Sequence, residues 1–357
     1  MFNDFAPNFA RTFLSILFEG APFLLLGSLI SGFVDVFVSS ERMSRLLPKN
    51  NAISILICGG LGMLFPMCEC GSVVIIRRFI KKGLPLASAV TYMLSTPIVS
   101  PIVALSTFAA FKGQMFSTTV HIGATGFSKW YYGHEVSILM TLLRLIFGFG
   151  ISVAIGFIVL RLPAAAILRT GATATGDAAG RRRAGLSVAT APPTDTVDFA
   201  GIAQSANFGQ KMLLAIQSAT ADFLDVTFFL IIGAVVAGIF NTAVKQEFIL
   251  PFATNTPVAI AALMILRSLL SICSTTDAFI MATFRTFPFA AKLAALVFGP
   301  LFDFKLFFLY SLIFKKRAVI VMATGLFIVI GLVCWRIAPF FDDLPSLPPQ
   351  TLSPAQP

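Results

Sequence analysis

The chain has 357 residues, of which 57% are hydrophobic and only 12% are charged, and its mean hydropathy is +0.89. Soluble domains carry about 25% charged residues, so this composition excludes an ordinary water-soluble fold. The 26 Lys and Arg residues exceed the 16 Asp and Glu residues, and they lie mostly between apolar stretches. That placement is typical of membrane orientation rather than of nucleic-acid binding. We therefore expect an all-α polytopic membrane protein.

Apolar runs separated by charged breaks predict about eight transmembrane segments in two homologous halves. About 20 mostly apolar residues suffice to cross a bilayer, and the stretches 84–111 and 318–335 contain no charged residue. The first apolar stretch is too long for a signal peptide and holds Glu19, so we interpret it as a retained helix. The predicted segments are 12–38, 52–76, 84–111, 136–160, 213–240, 252–284, 288–313 and 318–340.

A polar segment, 162–209, separates a first transmembrane repeat, 1–161, from a second, 210–341. It is rich in Ala, Gly, Thr and Pro and carries three consecutive arginines, so it cannot pack a core. We interpret it as a flexible linker, and the arginine run favours a cytoplasmic location. The proline-rich tail, 342–357, is expected to be disordered.

The two halves share helix-breaking and reactive residue types in the same order. The aligned pairs are Gly27 with Gly233 and Gly32 with Gly238 at a spacing of 206, then Cys70 with Cys273, Pro85 with Pro288 and Pro97 with Pro300 at a spacing of 203. Such a series predicts an internal duplication. Duplicated halves with broken helices are the architecture of many secondary transporters, whose substrate site lies at the repeat interface.

Two proline-containing segments, 66–71 and 96–101, predict interruptions of helices inside the membrane. Proline removes a backbone donor, and unpaired carbonyl groups at that depth are tolerated only where protein or a water-filled cavity meets them. A simple kink in a packed bundle is the alternative for each break.

Basic loops leave the orientation of the repeats open. With simple spans, the loop 77–82 and the linker share the cytoplasmic side, but the basic run 315–317 falls on the opposite side. A re-entrant hairpin in the seventh segment would bring residues 315–317 to the cytoplasmic side. A re-entrant hairpin in the third segment as well would turn a parallel repeat into an inverted one.

Ionisable residues inside apolar segments are candidates for function, because each costs about 2.5–3.5 kcal/mol at a helix centre. Glu19 and Asp225 occupy equivalent positions, each just before the Gly-x4-Gly segment of its half. We predict that this pair binds and releases protons during a transport cycle. The alternative is that each carboxylate only pairs with a basic residue near a helix end.

The segment Cys68-Glu69-Cys70-Gly71 places two thiols and a carboxylate within one turn. Thiols two residues apart converge on a ligand only where the helix is broken. Soft thiolates suit soft ions and metalloids, whereas two histidines in a predicted loop give little support to a Cys/His zinc site. Ordinary buried cysteines are the alternative, and structural disulfides are not expected.

In the second half, Cys273 and Asp277 are spaced to share a helical face, and Asp303 follows the break at Pro300 as Ser100 follows the break at Pro97. Arg144 and Arg267 are either counter-charges or snorkelling side chains. The residues predicted to bind substrate are Cys68, Glu69, Cys70, Pro97, Cys273, Asp277 and Asp303.

Residues 65–71 resemble the Pro-x-Cys-x-Cys-Gly signature of the predicted permease family of the organoarsenical-efflux type. The segments 94–97, 273–279 and 299–305 are similar to its other recurring motifs, so the resemblance covers both halves but not the linker or tail. It implies a permease of the bacterial inner membrane, and the better-understood members export trivalent organoarsenicals. The sequence departs from the family pattern at Glu69, where a small polar residue is usual, and lacks the proline that commonly follows Cys-Gly.

The sequence therefore predicts a secondary transporter, not an enzyme, that moves a small soft solute through a site near the bilayer midplane. We expect Cys68, Cys70 and Cys273 to approach one another there. One alternative is a membrane thiol-redox protein, although redox pairs usually have Cys-x-x-Cys spacing. Another is a structural subunit of a membrane complex. No nucleotide-binding motif, cofactor, resident metal or nucleic-acid partner is expected, and a homo-oligomer is left open.

Overall fold

The computed structural model describes residues 2–37, 48, 50–64, 67–112, 133–163, 167–168, 208–243, 255–284 and 286–341. Most of the linker, the tail and Pro66 lie outside these residues. The helices are α1 (Phe2–Phe37), α2 (Asn51–Leu61), α3 (Glu69–Lys81), α4 (Leu86–Val99), α5 (Pro101–Phe111), α6 (Gly133–Leu160), α7 (Phe208–Ala243), α8 (Thr256–Leu270), α9 (Asp277–Thr283), α10 (Phe289–Leu301), α11 (Phe304–Tyr310) and α12 (Lys316–Phe341).

Six helical stretches within the described residues are long and apolar enough to cross a membrane: Pro7–Phe37, Leu86–Phe111, Ser137–Leu160, Phe208–Ile239, Phe289–Tyr310 and Lys316–Pro339. They coincide with six of the eight predicted segments. Large apolar side chains point outward from them, for example Phe18, Leu105 and Val321. Contiguous outward-facing apolar surface of this kind is suited to lipid. The chain is thus a multi-pass helical membrane protein.

The second predicted segment, 52–76, is a re-entrant hairpin rather than a span. Helix α2 runs parallel to α4, because Ser54 and Ser88 share a 2.8 Å hydrogen bond and a Cβ at Gly62 would lie 2.7 Å from the Cα of Thr96. Helix α3 then returns to the starting side, where it leads directly into α4. The two arms have 11 and 13 residues, too short to cross alone. An apolar run alone did not distinguish this hairpin from a span.

The sixth predicted segment, 252–284, is also divided, into α8 and α9. Helix α8 runs parallel to α10, since a Cβ at Gly299 would lie 2.5 Å from the Nε of Arg267. Helix α9 ends at Thr283, close in sequence to the start of α10 at Phe289, so it returns to the side from which α8 entered. The hairpins therefore lie in the second and sixth segments and not in the third and seventh.

Helices α1 and α7 pack along each other in opposite directions. Gly32 of α1 contacts Ala215 and Ala219, near the start of α7, while Gly238, near its end, lies against Phe9 and Phe13. We call the end of the bundle where α1 begins and α12 ends the terminal face, and the end where α6 ends and α7 begins the linker face.

The first hairpin enters from the linker face and the second from the terminal face. Lys315 follows α11 on the linker face, where its backbone N–H donates to the carbonyl of Ile167 just after α6. Arg77 and Arg78, near the end of α3, lie on the same face. The two basic loops that simple spans would separate thus share one end of the bundle.

Candidate functional site

Four helix interruptions meet midway through the bundle, between the arms of the two hairpins and within the two broken spans. In the first broken span, α4 ends at Val99, Ser100 is extended with φ −67° and ψ 135°, and α5 begins at Pro101. The predicted interruption at 96–101 is therefore confirmed, and Pro97 lies buried in the last turn of α4. In the second broken span, Asp303 caps α11 by accepting a 2.7 Å hydrogen bond from the backbone of Leu306.

A small cavity, here called the thiol cavity, brings together the three cysteines predicted to converge. Cys68 and Cys70 come from the start of α3, and Cys273 comes from the turn between α8 and α9, with exposures of 6%, 2% and 6%. The cavity lies beside Gly20 and Leu230, near the middle of α1 and α7. Its lining consists of Ile16, Glu19, Gly20, Cys68, Glu69, Cys70, Leu230, Ser271, Cys273 and Lys305.

Cys68 and Cys273 also line a second, adjacent cavity. Its other walls come from α1, the first hairpin and the Ser100 break, and from the turn that follows Cys273: Phe23, Met67, Ser100, Ile102, Val103, Ser274 and Thr275. Two thiols, one from each half, therefore separate two small spaces. A soft ligand held by these thiols would be within reach of both.

An ion pair across the two halves forms the charged wall of the thiol cavity. Glu69, the first residue of α3, places its Oε1 2.8 Å from the Nζ of Lys305 in α11, and the side chains are 1% and 5% exposed. Lys305 also lies 3.5 Å from the carboxylate of Asp303. Ser274 donates a 3.3 Å hydrogen bond to the other oxygen of Glu69. Lys305 lies in the segment 299–305, which is similar to a recurring family motif, but the sequence did not predict it as a site residue.

Arg144 and Arg267 are counter-charges for Asp277 and do not snorkel. The Nη2 of Arg144 lies 2.8 Å from Asp277 Oδ2, and that of Arg267 lies 3.5 Å from the same oxygen. All three side chains are at most 1% exposed. Arg144 further donates to the hydroxyl of Thr107 at 2.8 Å, which ties α6 to α5. Two guanidinium groups thus share one carboxylate beside the turn that carries Cys273.

Two glycines of the aligned segments position the helices that carry the charged wall. A Cβ at Gly27 of α1 would lie 3.0 Å from the Cα of Gly71, two residues after Glu69. A Cβ at Gly233 of α7 would lie 2.8 Å from the Cα of Lys305. Close backbone approach at both places needs glycine, because a larger residue would displace α3 or α11.

The predicted carboxylate pair has two different environments. Glu19 is half-buried, lines the thiol cavity and accepts a 3.0 Å hydrogen bond from the hydroxyl of Thr276. Asp225 is 58% exposed and forms a 3.0 Å ion pair with Arg77. The structure therefore brings Glu19 to the site and leaves Asp225 outside it.

A buried ion network at the linker face was not predicted. Arg78 of α3 makes two hydrogen bonds to Asp222 of α7, at 2.8 and 2.9 Å, and one to Asp35 of α1, at 3.0 Å. Lys82 lies 3.6 Å from Asp35. Both carboxylates fall inside predicted spans, so the rule that selected Glu19 could have selected them as well.

Comparison with known proteins agrees with this architecture. Residues 6–128 and 130–335 match the family model ArsP_1, described as a predicted permease. The UPF0718 protein YcgR of Bacillus subtilis (strain 168) is 31% identical over 319 residues, which cover 89% of this chain and 92% of the relative. No solved structure matches at a significant level.

A second relative comes from Streptococcus mutans serotype c (strain ATCC 700610 / UA159). It is named "Putative two-component membrane permease complex subunit" and is 28% identical over 309 residues, 86% of this chain and 87% of the relative. The family match spans nearly the whole helical bundle, both hairpins and the thiol cavity. The chain therefore belongs to this family of predicted permeases.

Proposed function

We propose that this permease is a secondary transporter that exports a soft, thiol-reactive solute such as a trivalent organoarsenical. The observation that carries the proposal is the thiol cavity, where Cys68, Cys70 and Cys273 converge from two hairpins that enter from opposite faces. Thiolates are the protein ligands that soft metalloids prefer. A cavity held between re-entrant arms is the arrangement expected of an alternating-access carrier.

The opposed directions of α1 and α7 support an inverted internal repeat. Their contacts are related by the spacing of 206, since Gly32 meets positions 215 and 219 while Gly238 meets positions 9 and 13. Two copies of one segment that run antiparallel imply a pseudo-two-fold axis in the membrane plane. Carriers with this symmetry bind substrate at the interface of their halves, and the thiol cavity lies at the corresponding position.

The basic loops support a location in the bacterial inner membrane with the linker face in the cytoplasm. Arg77, Arg78, Lys315 and the arginine run of the linker then obey the positive-inside rule together. Cleavage of the linker by protease added to inside-out vesicles tests this orientation. Cleavage only from the opposite side would contradict it.

Glu19 supports coupling to a proton gradient, because its carboxylate lies in the thiol cavity next to the substrate ligands. A carboxylate there can take up a proton while the cavity faces one side and release it on the other. Asp225 is proposed as its partner by sequence equivalence alone.

A second candidate is a subunit of a larger permease complex. The observation that favours it is the name of the Streptococcus mutans relative, which describes a complex subunit. Native mass spectrometry of the membrane-extracted protein separates a monomer, a homo-oligomer and a complex with another chain.

Transport by the purified protein in liposomes tests the main proposal. Phenylarsine oxide, an uncharged trivalent arsenical, should accumulate in wild-type vesicles and fail to accumulate when Cys68, Cys70 or Cys273 is replaced by Ser. Cys58 and Cys334 are buried outside both cavities and provide matched Ser controls. Equal transport by all five variants would refute the thiol site, and no transport by wild type would refute this substrate.

A further inference from the structure

The polar lining of the thiol cavity carries its own counter-ion. Glu69 supplies a negative charge 2.8 Å from the ammonium group of Lys305, and both side chains are buried. Lys305 also donates to the carbonyl of Ser271 at 3.2 Å and lies 3.5 Å from Asp303. The positive charge is therefore neutralised by the protein before any ligand enters.

The remaining lining is uncharged or acidic. The three thiols and Ser271 carry no formal charge in their protonated forms, Ile16 and Leu230 are apolar, and Glu19 adds a further carboxylate. An anionic ligand would face two carboxylates and a lysine whose acceptors are already in place. An uncharged ligand with an apolar substituent would meet thiols and apolar walls.

We propose that Glu69, through its pair with Lys305, restricts the cargo to uncharged soft species and excludes anionic ones. This inference rests on the proposed function and names the charge class of its substrate. Without the Glu69 carboxylate, Lys305 would keep only Asp303, at 3.5 Å, as its counter-charge, and the cavity wall would lose one negative charge. A cation in a low-dielectric site attracts anions strongly, so the barrier to an anionic ligand would fall. Rejection by a like charge is a common way to obtain specificity.

Two arsenicals of nearly equal size and different charge test the inference. The para-carboxamide and para-carboxylate derivatives of phenylarsine oxide present the same trivalent arsenic to the thiols, so the ratio of their initial uptake rates, each corrected for uptake by protein-free liposomes, reports charge selection. Wild-type proteoliposomes should prefer the uncharged probe by roughly tenfold or more, equivalent to about 1.4 kcal/mol. Glu69→Gln should narrow or reverse this ratio, whereas Glu69→Asp should keep it.

Variants at Lys305 keep the test decisive if Glu69→Gln does not fold. Lys305→Met should increase the discrimination against the carboxylate probe, because Glu69 is then unopposed. The double variant Glu69→Gln with Lys305→Met removes both charges and should return the ratio toward wild type. If the ratio of uptake rates is the same in the variants as in wild type, this inference is overturned and the proposed function is not. Failure of wild type to move either probe would overturn the proposed function as well.

Discussion

The ion network at the linker face and the charged cluster at the centre are both buried, but they differ in how completely their polar atoms are paired. Arg78 uses all three guanidinium nitrogens, and Ser31 and Ser218 donate to the carboxylates that it binds, at 2.9 and 3.0 Å. Among the described residues, no fully buried side-chain atom of this network lacks a hydrogen-bond partner.

The central cluster is incompletely paired. The Nε of Arg144, the Nε and Nη1 of Arg267 and the Oδ1 of Asp277 are buried and have no hydrogen-bond partner in the part of the chain that the structure describes. Satisfied buried networks rigidify a fold, while unpaired buried groups cost free energy and cluster at functional sites. The difference indicates that the linker-face network ties α1, α3 and α7 together, whereas the central cluster lies beside the cavity that we propose to act in transport.

The largest effect on stability is expected from Arg78→Ala. Asp222 and Asp35 would lose their main partner while buried, and breaking such a pair costs about 3–5 kcal/mol. Thermal unfolding in detergent, followed by tryptophan fluorescence, measures the loss. Arg77→Ala is the matched control, because its pair with the 58% exposed Asp225 is worth only about 0–1 kcal/mol. Equal losses in both variants would remove the distinction between the network and a surface pair.

Arg144→Gln should cost less stability and more transport. Asp277 keeps Arg267 at 3.5 Å, so we expect a loss of about 1–3 kcal/mol from the hydrogen bonds to Asp277 and Thr107. Arsenical uptake should fall to background because the turn that carries Cys273 loses its anchor on α6. Normal uptake with a large loss of stability would assign the central cluster a purely structural role.

Gly233→Ala should perturb the site through the backbone. The added Cβ would lie 2.8 Å from the Cα of Lys305, so α11 must shift, at a cost of about 1–3 kcal/mol. Uptake and unfolding temperature should both decrease. Gly325→Ala provides the control, since no atom of the described residues lies within 4 Å of its Cβ position, and alanine there should be neutral or stabilising.

The smallest effect on stability is expected at the two equivalent carboxylates. Glu19→Gln should reduce uptake driven by a pH gradient, because Glu19 lines the thiol cavity, with little change in unfolding. If only a carboxylate in the cavity couples transport to protons, Asp225→Asn should leave the dependence of uptake on the pH gradient intact. If both sequence-equivalent carboxylates are needed, Asp225→Asn should abolish that dependence. Full gradient dependence in the double variant would leave both carboxylates with structural roles only.

Sequence patterns predicted the helical class, six of the crossing segments and the break at Ser100, because length, apolar content and proline act locally. They did not predict the hairpins, since two half-length apolar helices have the composition of one span. The three thiols were predicted because they lie next to predicted helix breaks and because Cys70 aligns with Cys273 between the halves. The pairing of Lys305 with Glu69 was not predicted, because that contact depends on how α3 and α11 meet across the two halves.

The hairpins also determine whether each half crosses the membrane an odd or an even number of times. Since neither hairpin crosses, the described residues of each half contain three stretches long enough to cross the bilayer, and an odd number leaves the two ends of a half on opposite faces. A second half joined in tandem is then inverted relative to the first, whatever its sequence. Had 52–76 and 252–284 crossed, each half would have four crossings, and the two halves would run in the same direction.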